Sequence, residues 1–432
     1  MTPGARLQSA IDILTGIFET RQPADRAFDT WSRSSRFAGS KDRGAVSELV
    51  FSVLRHRAQL VAATGSDAPR LLAFAAIALL QGEGAEAAAA RADGTPHAPA
   101  PLTIEENAAL CEAALPGPDA PSWVRLNYPE WLHPAFELAL GARLEREMAA
   151  LMERAPTDLR VNALKGSRDH AKSVLADENV ATEPTPLSPW GLRLAGRANI
   201  LGLPSFRDGL VELQDEGSQL ACLATGVKPG EQVVDLCAGG GGKSLALAAM
   251  MRNRGQVHAC DNDSRRLDKL MPRAQRAGIR NIQTRALGVF APDAPDADLA
   301  DLEARMDCVL VDAPCSGTGA WRRNPDARWR LTPEILAGYH AAQTEVLARA
   351  ARLVRPGGRL VYVTCSLLPS ENDQQVAAFL TADRGFAALS WRLIWPADFP
   401  PPPGIGDDPF LRLTPASTET DGFFIAVLRR EG

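Results

Sequence analysis

The sequence predicts an α/β protein whose C-terminal part is a mainly parallel, doubly wound sheet, preceded by an all-α domain and a small α/β subdomain. Three observations lead there. Beyond residue 230, short apolar runs at 232–236, 256–260, 282–286, 308–311, 359–363 and 423–428 alternate with helical stretches such as 243–252, 265–277 and 333–353. Strands that alternate with helices imply parallel pairing through crossover helices. Residues 5–83 are rich in Ala, Leu and Arg and carry few strand signals. Between these regions, Pro and Gly punctuate residues 157–212, where 159–164 reads as a short strand. The expected boundaries are therefore 1–150, 151–229 and 230–432.

The helical part has its own signals. Ser40, ahead of Lys41-Asp42-Arg43, is placed to cap a helix carrying Val46, Leu49, Val50, Val53 and Leu54 at helical spacing. The apolar stretch 71–80 is too short to span a bilayer and reads as a buried core helix. Residues 84–101, biased to Ala, Gly and Pro, are expected to form a surface loop or insertion. Helical patterning resumes from Thr103 to about Met152.

Composition narrows the function. The chain has 432 residues, 45 % of them hydrophobic, and a formal net charge of −5. That balance argues against a protein that coats nucleic acid indiscriminately, and leaves recognition to local basic patches. The seven cysteines are odd in number, with no CxxC pair, so reduced thiols in a cytoplasmic protein are expected. With six scattered histidines they offer no zinc ligand set. The N-terminal stretch lacks the pattern of a signal peptide. A monomer with no membrane partner is expected.

The first motif is Val233-Val234-Asp235-Leu236-Cys237-Ala238-Gly239-Gly240-Gly241-Gly242-Lys243-Ser244. It joins a strand to a helix. Glycines let the backbone turn sharply and approach a ligand, and such ligands sit beyond the carboxyl ends of parallel strands. Asp261 follows the next run, where a carboxylate can accept from ribose hydroxyls. A phosphate-binding P-loop would need glycine where Cys237 stands, and a dinucleotide fingerprint would need one at Ser244. A plain tight turn is the remaining alternative.

Two further loops carry thiols. Asp307-Cys308-Val309-Leu310-Val311-Asp312-Ala313-Pro314-Cys315-Ser316-Gly317-Thr318-Gly319 ends a strand and presents Cys315. Leu360-Val361-Tyr362-Val363-Thr364-Cys365-Ser366 presents Cys365 in the same way. Singly, each reads as a buried apolar cysteine. Cys111, Cys222, Cys260 and Cys308 are expected to be just that, and Cys237 to be packing. Paired at two strand ends, Cys315 and Cys365 suggest chemistry. Carbon 5 of cytosine is a weak nucleophile until a thiolate adds at carbon 6. A carboxylate such as Asp312 can orient the base, and a second thiol can assist release. Lys243 is a cation able to favour the ionised nucleophile. The residues alone leave open which thiol attacks.

Together, the glycine turn, Asp312 to Gly319, Thr364-Cys365-Ser366 and Asp421-Gly422-Phe423-Phe424 resemble the RsmB/NSUN family of RNA cytosine-C5 methyltransferases. The resemblance spans about 157–432. A weaker one, Asp42-Arg43 with Leu49-Val50 and Leu54-Arg55, is to the NusB-like helical RNA-binding domain of bacterial RsmB. The resemblance implies a Rossmann-like methyltransferase domain and S-adenosylmethionine as cofactor. It implies small-subunit ribosomal RNA as the partner, attack by Cys365 and release by Cys315. It also implies cofactor contacts at Asp235, Cys237, Ala238, Gly239, Gly240, Gly241, Gly242, Lys243, Asp261, Arg266 and Asp312. The run Arg322-Arg323-Asn324-Pro325-Asp326-Ala327-Arg328-Trp329 matches a family stretch near the RNA. There Arg322, Arg323 and Arg328 would neutralise phosphates and Trp329 would stack. An exposed basic loop with a core-anchoring tryptophan is the other reading. Two departures stand out. The family usually has Ala-Pro where this chain has Gly239-Gly240, which predicts a looser turn. Its adenine-reading aspartate is absent from Thr284-Arg285-Ala286-Leu287. A non-catalytic RNA-binding or assembly factor is the rival function, and a P-loop ATPase a more distant one.

Overall fold

The computed structural model describes residues 1–290, 296–399, 401–402 and 408–432. The chain divides into two compact units. One comprises Met1–Arg154 and Trp321–Leu331, the other Ala155–Ala320 and Thr332–Gly432.

The first unit is helical throughout its described residues. Its core is lined by Leu7, Leu14, Val46, Val50, Leu54, Leu72 and Phe74. Helix Ser40–Arg55 buries the predicted positions Val46, Leu49, Val50, Val53 and Leu54. Its cap differs from expectation. Ser40 is the first helical residue, and the Asp42 carboxylate accepts from the Gly39 amide at 3.3 Å. Helix Ile104–Glu112 carries a reciprocal capping box between Thr103 and Glu106. The apolar stretch at 71–80 is a core helix as expected, with Leu71 to Ala78 buried. No single described helix is long and apolar enough to cross a membrane. Residues 84–101 are more than a surface loop. They contain a short helix, Ala85–Ala89, and bury Ala88 and Ala92.

The segment 321–331 belongs to this unit, and it revises the reading of the arginine run. Arg328 has no exposed surface. Its guanidinium donates to Asn127 O at 2.7 Å and Leu151 O at 3.1 Å, and lies 5.1 Å from the Trp321 ring. Trp321 is fully buried, with Phe136 edge-on to it. Trp329 donates its indole N–H to Leu54 O at 2.6 Å. Asp326 accepts from the Ala24 amide at 3.3 Å and pairs with Arg330. Arg322 is also buried, and its carbonyl accepts from Arg55. Arg328 therefore cannot neutralise a phosphate from this position, and the indole N–H of Trp329 is an anchor. Burial explains why a guanidinium is used. Its planar fork can satisfy several carbonyls at once.

The second unit holds two sheets. In the smaller, β1 (Asp158–Val161), β2 (Thr182–Pro184), β3 (Gly191–Leu194) and β4 (Val211–Leu213) lie in the order β2-β3-β1-β4. All of its pairings are antiparallel. The larger contains β5 (Gln232–Asp235), β6 (Gln256–Asp261), β7 (Ile282–Ala286), β8 (Met306–Asp312), β9 (Val354–Thr364), β10 (Phe386–Leu389), β11 (Leu411–Leu413) and β12 (Phe423–Arg430). Its order is β10-β12-β9-β8-β5-β6-β7, with β11 paired to β12. The central pairs are parallel, whereas β12 runs antiparallel to β9, β10 and β11.

Residue alternation explains why this sheet is covered on both faces. Val233, Val257, Ala259, Cys308, Leu310, Val361, Val363, Ile425 and Val427 feed one core cluster. Val234, Cys260, Val309, Val311, Leu360, Tyr362, Phe424, Ala426 and Leu428 feed the other. A period of two with apolar residues at both phases gives the near-continuous hydrophobic runs of a doubly covered sheet. Of the cysteines expected to be buried, Cys222, Cys260 and Cys308 are, whereas Cys111 is exposed.

Arg328→Ala would leave two carbonyls unpaired beside a cavity, and a loss of about 3 kcal/mol is expected from such changes. Urea denaturation measures it. An unchanged midpoint with weakened RNA binding would restore the phosphate-contact role.

Candidate active site

The larger sheet changes direction between β5 and β8. The chain first builds outward through β6 and β7, then returns to lay β8 and β9 on the other side. Ligand crevices in such sheets open at this point, beyond the carboxyl ends of the strands. The glycine turn follows β5, Asp261 ends β6, Asp312 ends β8 and Cys365 follows β9.

The turn is tethered on several sides. The Asp261 carboxylate accepts from the Gly239 amide at 2.8 Å and from the Asp263 amide at 2.8 Å. Gly241 N–H donates to Ala238 O at 2.8 Å. Arg273 donates to Gly240 O, and Arg160 donates to Gly242 O at 2.7 Å. The looseness expected without proline is thus offset by these contacts. Gly241 has φ of 81°, and a Cβ there would meet Leu270 at 2.4 Å, so only glycine fits. Beside Gly239 a Cβ would meet nothing within 4 Å, leaving room next to the backbone. Asp235 is fully buried. One oxygen accepts from Ser244 Oγ at 2.6 Å, while Oδ1 has no partner. Burial pushes its carboxyl up to about 6. Cys237 is also pushed upward by burial, which suits packing and not chemistry. Ala238 is buried, and Arg266 lies exposed on the short helix Ser264–Leu267 after Asp261.

The two thiols meet. Cys315 Sγ and Cys365 Sγ are 3.5 Å apart. The Cys315 thiol is pushed well above its ordinary value, first by its hydrogen bond with Cys365 and then by burial. Around them, Gly319 N–H donates to Cys365 O at 2.9 Å and Gly422 N–H to Gly319 O at 2.9 Å. A Cβ on Gly319 would lie 2.4 Å from Gly422 O. The closing Asp421-Gly422 thereby acquires a physical role, since its backbone seals the Cys315 loop.

Lys243 lies in the first turn of helix Gly242–Met250. Its ammonium pairs with Asp312 Oδ2 at 2.6 Å and lies 5.6 Å from the Phe423 ring. Burial alone would lower its pKa, but the charges of Asp312, Cys222 and Asp235, with the hydrogen bond to Asp312, together outweigh this and the net shift is upward. Lys243 therefore stays cationic and holds Asp312.

Sequence reasoning missed Glu371, Gln343 and Asn372. Glu371 is fully buried and bonds to both cysteine loops. It sits in Leu-Leu-Pro-Ser-Glu-Asn, where a carboxylate beside Pro and Ser reads as a solvated turn, so no local signal marks it.

A family model described as 16S rRNA methyltransferase RsmB/F matches residues 222–429. A second, for the ferredoxin-like domain of RsmF/B-like methyltransferases, matches residues 128–201. Ribosomal RNA small subunit methyltransferase B of Salmonella arizonae is 33 % identical over 311 residues, covering 72 % of this chain and 68 % of that protein. The crystal structure of PH0851 aligns with a TM-score of 0.77 at 25 % identity, covering 100 % of this chain and 99 % of that one. The crystal structure of NSun6 from Pyrococcus horikoshii with SFG aligns with a TM-score of 0.60 at 21 % identity, covering 70 % and 98 % of the two chains.

Asp235 gives a pH signature. Its folded pKa, about 6, lies above its ordinary 3.8. Its contribution to stability is thus fully present below about pH 4 and lost as pH rises through about 6. Asp235→Asn, whose amide oxygen still accepts from Ser244, should flatten that decline by roughly 2–3 kcal/mol, read from denaturation midpoints between pH 4 and pH 7.5. Gly319→Ala should lower the melting temperature by several degrees, on the order of a 1–3 kcal/mol overpacking cost, as followed by circular dichroism.

Proposed function

The chain belongs to the RsmB/F family of 16S rRNA methyltransferases, and on that premise we propose that it methylates carbon 5 of cytosine in small-subunit ribosomal RNA, with S-adenosylmethionine as methyl donor and Cys365 as transient nucleophile. The observation that carries this reading is the 3.5 Å meeting of two thiols beside a lysine-held aspartate.

The residues present fit S-adenosylmethionine. Asp235 Oδ1 is a buried acceptor lacking a donor, which an ammonium group would supply. The open space beside Gly239 admits a ligand against the backbone, and Asp261 stands at the end of the next strand for ribose hydroxyls. NSun6 from Pyrococcus horikoshii was crystallised with SFG, an analogue of this donor. When bound, the donor supplies an electrophilic methyl group.

The chain's own residues do the rest. The Cys365 thiolate adds to carbon 6 of the cytosine, and the ring becomes nucleophilic at carbon 5. Asp312, fixed by Lys243 and about a third exposed at its side chain, orients the base through its N3 edge and amino group. Once Cys365 is bonded to carbon 6 and no longer shares it, the proton on Cys315 passes to water; after methyl transfer the Cys315 thiolate takes the proton from carbon 5, and the Cys365–carbon 6 bond breaks to expel the thiolate. Covalent addition needs access to carbon 6, so the base is taken single-stranded or flipped out of its stack. In the segment 321–331, phosphate contact narrows to Arg323, whose side chain keeps partial exposure.

Cys365→Ala should abolish methyl transfer, measured with labelled donor and small-subunit RNA. Cys315→Ala should trap the RNA on the protein, seen as a slow-migrating band on a denaturing gel. The absence of that band under turnover conditions would count against the two-thiol assignment.

A further inference from the structure

The second unit contains a buried carboxylate that the mechanism does not use. Glu371 has no exposed surface. Oε1 accepts from the Ser316 amide at 2.8 Å and from Gln343 Nε2 at 3.0 Å. Oε2 accepts from the hydroxyls of Ser316 and Ser366. All four partners are donors, which is the pattern an ionised carboxylate satisfies. Among the described residues, no cation pairs with it.

The partners are arranged around the thiols. Ser316 follows Cys315 in the chain, and Ser366 follows Cys365. Gln343 also donates to Pro314 O at 2.9 Å, so the residue before Cys315 is fixed as well. The neighbouring Asn372 completes the set. It accepts from Thr364 Oγ1 at 2.6 Å and donates to Ser366 O at 2.9 Å. Tyr362 on β9 anchors the segment by donating to the Glu371 carbonyl at 2.7 Å. Every residue flanking either cysteine is thus held by Glu371, by Asn372 or by Gln343.

A buried negative charge also acts through space. Beside two thiols that share a proton, it disfavours the thiolate nearer to it. Two of its four contacts are to Ser316, and its field adds to the upward push on the Cys315 thiol. We propose that Glu371 is a positioning residue for the thiol pair: its carboxylate clamps the flanks of Cys315 and Cys365 so that the sulfurs face each other, and its charge holds the proton between them on Cys315. This assignment rests on the two-thiol reading above, and it supplies from the structure the asymmetry between the sulfurs that strand-end position could not.

The other titratable groups around the pair are Tyr362 on β9, Cys237 in the glycine turn, the Asp312–Lys243 pair and His340. The last donates to or accepts from Ser370 Oγ at 3.0 Å, depending on tautomer. Tyr362 and Cys237 are both pushed upward by burial.

The test is selective alkylation of the folded full-length chain by iodoacetamide from pH 6.5 to 9.5, with each cysteine quantified by peptide mass spectrometry. Wild type should show Cys365 reacting about tenfold faster than Cys315, since the thiolate is the form that is alkylated. In Glu371→Gln the ratio should fall to within about twofold, with kcat lowered roughly a hundredfold and KM nearly unchanged, as expected when a reacting group is misplaced. A folded Glu371→Gln with the wild-type ratio and kcat overturns the proposal. If circular dichroism shows that variant unfolded, Ser316→Ala replaces it. That change removes one donor and keeps the charge, so kcat should fall while the preference for Cys365 persists; unchanged kcat overturns the clamp. Alkylation requires no methyl transfer. An active Cys365→Ala would therefore sink the two-thiol chemistry without touching the alkylation result.

Discussion

The parallel pairing of β8 with β9 is the constraint on which the active site depends. In that register Asp312 lies opposite Val363, and the Ala313 amide extends the ladder to Val363 O at 2.9 Å. The strands then part, and Cys315 and Cys365 lie three and two residues beyond the paired positions. Each loop would wander if it were free. Instead the Gly319 amide bonds to Cys365 O, and Gly422 bonds to Gly319 O. Two strand ends, one glycine crossing and the Glu371 bonds to both loops thus lie around the 3.5 Å sulfur separation. A thiol at either strand end alone would be an ordinary buried cysteine, as Cys308 is within β8.

Much of this was legible in the sequence because it rests on local pattern. Apolar runs at both phases of a two-residue period announced a sheet covered on both faces. The β7 run at 282–286 and the helix at 333–353 were placed to the residue. Other features were illegible for a physical reason. Residues 321–331 leave the catalytic unit and pack among helices more than 150 residues away in sequence, so nothing local shows that Arg328 is buried. Asp42 replaces Ser40 in the capping role because the helix starts one residue earlier than a serine cap would allow. The short β10 and β11 carry too few residues to stand out, and both gain their place by antiparallel pairing to β12.

Three acids differ in burial and in the partners they keep: Asp235 and Glu371 are fully buried, and the Asp312 side chain is about a third exposed. Asp235 has one donor, so burial wins and its carboxyl rises to about 6. Asp312 is held by a lysine, and the pair keeps the Lys243 ammonium charged. Glu371 collects four donors in place of a cation. One functional group thus serves as a lysine's partner, as an acceptor with one oxygen still open and as the tie between two cysteine loops.

The arginines make the same point about reading charge from composition. Arg328 serves Asn127 O and Leu151 O, Arg160 and Arg273 serve the glycine turn, and Arg359 serves Thr225 O and Gly226 O while pairing with Glu231. Each uses its planar fork to join carbonyls across segments distant in sequence, a task lysine's single ammonium does poorly. These side chains are spent on the fold and are lost to phosphate binding. A chain of net charge −5 that also buries several arginines has little general attraction for a polyanion. Attraction of such a chain for a polyanion must come from a few placed contacts and not from its overall charge.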